Sequence, residues 1–72
     1  MTHHAHAPEE SHRLEALIRH RVGWQVDDLQ VLVGEHGLIL EGHARCGCAR
    51  RMAQDEAARL SGLPVENRIA VM

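Results

Sequence analysis

The stretch "HARCGCARR", His43 to Arg51, gathers the side chains best suited to chemistry. Cys46 and Cys48 are one residue apart, and His43 stands three residues before the first of them. Thiolates and imidazoles bind borderline and soft metals, Zn(II) among them. His43, Cys46 and Cys48 offer three ligands, and a histidine from the N-terminal stretch, His3 or His4, offers a fourth. The same two cysteines can instead cycle between dithiol and disulfide, because a disulfide across one residue is strained and so reducible. A third reading gives them no chemistry: Cys46 packs as a small hydrophobe and Cys48 is merely exposed.

The N-terminus carries a second candidate. Met1-Thr2-His3 places an imidazole in third position, where a free amine, two backbone amides and the ring surround a square-planar metal, a geometry suited to Cu(II) or Ni(II). Without Met1, Thr2-His3-His4 does the same. The competing reading is a flexible His-rich tail over residues 1–10.

Composition narrows the function classes. A chain of 72 residues is one domain. Its eight basic residues are all arginine and its net charge is −2, which gives no bulk attraction for nucleic acid. Its seven histidines titrate near pH ~6.5 when unperturbed, so mild acid reverses the sign of the net charge. Residues 1–13 lack the apolar core of a secretory signal, and no apolar run reaches the ~18 residues of a membrane span. The expectation is a cytoplasmic protein whose cysteines are reduced thiols or ligands rather than a structural disulfide.

Periodicity supplies the elements that must position these groups. Leu14, Leu17, Ile18 and Val22 share one face of a helix starting at Glu9 or Ser11 and ending at Arg21, before Gly23. "VDDLQVLVGEHGLILEGHA" alternates as a hairpin around Gly34–Gly37. Pairing Val33 with Leu38 sets Leu32 against Ile39 and Val31 against Leu40. The inner face is then Leu29, Val31, Val33, Leu38 and Leu40, with Leu32 and Ile39 together outside. Ala49, Met52, Ala53, Ala57 and Leu60 form the stripe of a second helix, roughly Cys48 to Leu60, stopped by Gly62 and Pro64. Val65, Asn67, Ile69 and Val71 alternate as a last strand. The fold class is α+β, in the order α-β-β-α-β: two helices packed on one face of a three-stranded mixed sheet. The last strand runs in the direction of the second. It lies either parallel beside the second or antiparallel beside the first.

With this order in place, residues 11–72 resemble a BON domain, the small module named for bacterial osmotic-stress and nodulation proteins. The carriers are "LQVLV", then "GLILEG" with Gly37 leading the strand and Gly42 closing it, then Ala53 eleven residues past Gly42, and the ending "SGLPVENRIAV". Three departures stand out: "LPV" is one residue short, Ala44 replaces a valine, and Cys46 replaces a small polar residue at the start of the second helix. The resemblance implies a non-catalytic binding module, with phospholipid or membrane association as the usual proposal. It also makes Cys46 or Gly47 the cap of the second helix, where backbone N–H groups favour thiolate.

The remaining candidates concern partners. Leu32 and Ile39, ringed by Gln30, Glu41 and Arg68, form an apolar patch suited to a protein partner, a second copy or an acidic phospholipid surface. Trp24 either caps one end of the core or anchors a partner or lipid interface. Arg50 and Arg51, with Arg45 and Arg59, form either a solvated face or a phosphate-binding one. "GEHG" has the form of an RNA-clamping loop, but it joins two strands, is acidic, and adjoins a sheet without aromatic side chains on which bases could stack. No paired carboxylates or Ser/His/Asp set emerges, so an enzyme is not expected. The leading expectation is a BON-type interaction module; its rival is a small metal-binding or thiol-redox protein built on Cys46 and Cys48.

Overall fold

A computed structural model describes residues 8–72. Helix α1 (Pro8–Val22) leads through a 3-10 turn (Gly23–Gln25) into β1 (Val26–Gly34) and β2 (Gly37–Ala44). Helix α2 (Gly47–Ser61) follows, then β3 (Val65–Asn67) and β4 (Ala70–Val71). The α+β class and the α-β-β-α-β order are as the sequence implies. Pro8 opens α1 as expected for a residue without an N–H to satisfy, so residues 8–10 are helical rather than part of a tail. The His3 and His4 candidates lie outside the described residues.

The hairpin register matches the periodic reading: Val31 pairs with Leu40, Leu32 with Ile39, and Val33 with Leu38. Farther from the turn the ladder slips. Asp27 pairs with His43 but Gln30 pairs with Glu41, so Asp28 and Leu29 face Gly42 alone. This is a β-bulge, and its extra residue changes the alternation so that Val26 and Leu29 both point inward. Asp28 takes φ +56°, a left-handed conformation that aspartate tolerates. Gly42 is its counterpart: at φ +149° a Cβ would lie 2.9 Å from the Asp27 carbonyl oxygen.

Strand β2 is central. β1 flanks it antiparallel, and β3 and β4 flank its other side in parallel, which resolves the position of the last strand. β3 and β4 keep one residue offset to β2 and form a single strand interrupted at Arg68–Ile69. At the interruption the Asn67 Oδ1 accepts the Ile69 N–H at 3.0 Å in an Asx-type turn, while the Arg68 N–H still donates to the Leu40 carbonyl at 2.8 Å.

Both helices cover one face of the sheet. The core holds Ile18, Val22, Val26, Leu29, Val31, Leu38, Leu40, Ala44, Ala49, Ala53, Ala57 and Ile69, with no aromatic ring among them. Ala49, Ala53 and Ala57 recur every four residues and are fully buried, so α2 approaches its neighbours along a row of methyl groups. Met52 and Leu17, expected on the apolar stripes, are exposed. The buried stripe of each helix is narrower than its sequence suggests, and on α2 small residues fill the contact.

The bulge predicts a cost for Gly42→Ala. The substitution forces a Cβ against the Asp27 carbonyl at a strained φ, and stability should fall by about 1–3 kcal/mol in urea unfolding. A loss within experimental error would mean the bulge does not constrain the fold.

Candidate functional site

The residues singled out by sequence divide between two places. The first is the sheet face opposite the helices. Leu32, Ile39 and Glu66 lie side by side across three strands. Gln30 and Glu41 form the next row, with Arg68 on the neighbouring strand. Leu32 is 47 % exposed and Ile39 half-buried, so they form a short apolar ridge bordered by charge. The Arg68 guanidinium bonds the Glu66 carboxylate at 2.5 Å; that bond, with the charges of Glu66 and Glu41, raises its already high pKa, so it remains cationic. His43 also belongs to this face: it pairs with Ala70, and its Nδ1 lies 3.8 Å from the Asp28 carboxylate.

The second place is the corner where β2 enters α2. Cys46 is the N-cap: its backbone is extended and its Sγ accepts the Ala49 N–H at 3.3 Å. Its side chain packs against the core, whereas Cys48 is exposed in the first turn. Contrary to the expectation of free thiols, the structure joins the two sulfurs in a disulfide, with the Cα atoms 5.3 Å apart. The cap explains this. It turns the chain so that both sulfurs meet over Gly47. The structure therefore does not assemble His43, Cys46 and Cys48 as one ligand set: His43 turns to the open face and Cys46 to the core side. Among the described residues no group of three His, Cys, Asp or Glu side chains converges as a metal site.

Trp24 does not cap the core. It is 74 % exposed, because Gly23 at φ +61° turns the chain outward while Val22 and Val26 take the core positions on either side. The Arg45 guanidinium lies 5.4 Å from the centre of its ring, donates to the Trp24 carbonyl at 3.0 Å, and lies 3.4 Å from the Asp27 carboxylate.

The helix arginines do not converge on a phosphate site. Arg51 pairs with Asp55, and Arg59 with Glu56, which also lies 3.7 Å from Arg21 on α1. Arg50 has a different task, one that sequence reading missed. Its Nε and Nη2 donate to the carbonyls of Ile69 and Asn67, at 2.9 and 3.0 Å. Asn67 answers with its amide on the Arg50 carbonyl and on Gln54. Across the sheet, Arg19 donates to the Leu29 carbonyl at 2.9 Å and Glu15 accepts the Val31 N–H at 3.2 Å, the two side chains being paired with each other. Each helix thus reaches over the edge strand below it and holds two of its backbone groups. The signal available in sequence was weak: a glutamate and an arginine four residues apart suggest a helix pair, not an edge cover.

No family model, curated protein or solved structure matches the chain. No helix of the described residues is long and apolar enough to cross a membrane.

The edge role of Arg50 carries a prediction. Arg50→Ala leaves the Asn67 and Ile69 carbonyls without their cationic donor and should cost about 1.5–3 kcal/mol of stability in urea unfolding. Arg50→Lys should recover only part of it, since an ammonium is not a planar fork. Equal stability of the lysine variant and the parent would refute the forked contact.

Proposed function

We propose that the chain is a non-catalytic interaction module of BON type, working through the open face of its sheet and associating there with a second copy of itself. One observation carries the reading. On each sheet edge two backbone groups are held by helix side chains, while the face bearing Leu32 and Ile39 is left uncovered. Edges obstructed in this way favour association by the face, since β-addition needs free N–H and C=O groups.

Self-association is favoured over other partners by the charges on that face. Glu41 and Glu66 lie in the same patch as Arg68, so the face carries both signs of charge, as a surface that meets its own copy about a two-fold axis can. An acidic phospholipid surface would want a face of one sign. The BON reading is supported by the element order and by the part played by Gly37 and Gly42, two carriers of the resemblance. A Cβ at Gly37 would lie 2.3 Å from the Pro64 carbonyl oxygen, and one at Gly42 would collide with the bulge.

Sedimentation equilibrium tests this. The parent should sediment as a dimer at micromolar concentration, and Leu32→Asp as a monomer with an unchanged melting temperature. A parent that remains monomeric and instead floats with anionic vesicles at about pH 5.5 or about pH 7.5, either side of the ordinary histidine value, would replace self-association by lipid contact. A monomer that ignores vesicles would remove both.

A further inference from the structure

The two sulfurs of the Cys46–Cys48 disulfide differ in the properties that govern thiol–disulfide exchange. Cys48 is exposed in the first turn of α2 and open to attack. Cys46 is half-buried against the core, and its Sγ already accepts the Ala49 N–H. An amide that bonds this sulfur in the disulfide can hold it as a thiolate when the bond opens. α2 is 15 residues long with no acidic residue in its first turn, so negative charge on Cys46 is favoured further. The ring encloses Gly47 alone, so it removes little freedom from the unfolded chain compared with a disulfide that closes a long loop. As a staple the pair has little to hold.

We propose that Cys46–Cys48 is a thiol–disulfide exchange site for cysteines carried on peptide chains, with Cys48 the attacked sulfur and Cys46 the leaving one. A substrate thiolate attacks the Cys48 Sγ, a substrate–Cys48 bond forms, the Cys46–Cys48 bond breaks, and Cys46 departs with the electron pair. A second substrate thiol then attacks the substrate sulfur of that mixed disulfide. Cys48 leaves and the substrate disulfide forms. The two protons lost by the substrate thiols end on Cys46 and Cys48, and the two electrons lost by the substrate reduce the protein disulfide. In reverse, the dithiol reduces a peptide disulfide, with Cys48 as nucleophile.

The surroundings favour an apolar peptide over a small polar thiol. Trp24 and Met72, both largely exposed, lie at the end of the sheet where β2 leads into Cys46. Trp24 is held by Arg45, next to Cys46 in the chain, and the Met72 N–H donates to the Ala44 carbonyl at 2.9 Å.

Trapping experiments on the full chain test both parts. With oxidised glutathione, Cys46→Ser, which leaves Cys48, should form the mixed disulfide roughly tenfold faster than Cys48→Ser, which leaves Cys46 half-buried. In the reduced parent, thiolate ultraviolet absorbance should rise in two steps, one of them below the ordinary thiol value of ~8.5. That lower step should be absent from Cys46→Ser. Equal trapping rates in the two variants, or a parent titrating only at ordinary values, would overturn the exchange site. For the substrate class, a disulfide between a leucine-rich cysteine peptide and glutathione should react faster than oxidised glutathione, and Trp24→Ala should slow the peptide reaction alone. Indifference to both changes would overturn the preference for peptides while leaving exchange intact.

Discussion

A short sheet in a small protein has two edges, and the backbone groups along them need partners. Here the helices supply two on each edge. Glu15 and Arg19 reach from α1 to Val31 and Leu29, and Arg50 reaches from α2 to Asn67 and Ile69. The same bonds fix where the helices lie. The core is built from Val, Leu, Ile and Ala, and a row of alanines on α2 is a smooth surface that specifies little by shape. Directional bonds to particular carbonyls hold each helix over its edge strand, and the Arg21–Glu56 contact joins the helices to each other. With two groups of each edge held and one side covered by helices, the other side of the sheet is left open, and it is the face we propose for association.

Central strand β2 makes the arrangement possible through its two glycines. At Gly37 the backbone of Pro64 comes close enough for its carbonyl to accept the Leu38 N–H at 2.9 Å, which starts the parallel ladder to β3. At Gly42 the absent side chain makes room for the β1 bulge. The bulge brings Val26 opposite Ala44, both buried, and so closes the core at the end where Trp24, Arg45 and the cysteines meet. A constraint on packing thereby sets the geometry of the chemically interesting corner.

Much of this was legible in the sequence. The alternation of Val31, Val33, Leu38 and Leu40 is strong enough to fix the hairpin register, and the outer placement of Leu32 and Ile39 follows from it. The bulge was not legible. Strict alternation assumes one residue against one, and the clue was an aspartate able to adopt positive φ opposite a glycine. The side of β2 taken by the last strand was undecided by hydrophobicity, since both edges bury the same residues; Gly37 held the answer because a close carbonyl needs it. Trp24 misled by its type, as large rings are usually buried, whereas here Gly23 turns it out to solvent. The cysteine pairing depended on the cap conformation of Cys46, a backbone property that the spacing leaves open.

The central claim is that the sheet presents its face and withholds its edges. Backbone amide NMR shifts followed through a dilution series test it most directly, because they locate association residue by residue. The account predicts concentration-dependent shifts at Leu32, Ile39, Glu41 and Arg68, with the edge amides of Val31 and Ile69 unmoved. Shifts concentrated at Val31 and Ile69 would contradict it, since they would mean that Glu15 and Asn67 yield these edge amides to a partner strand.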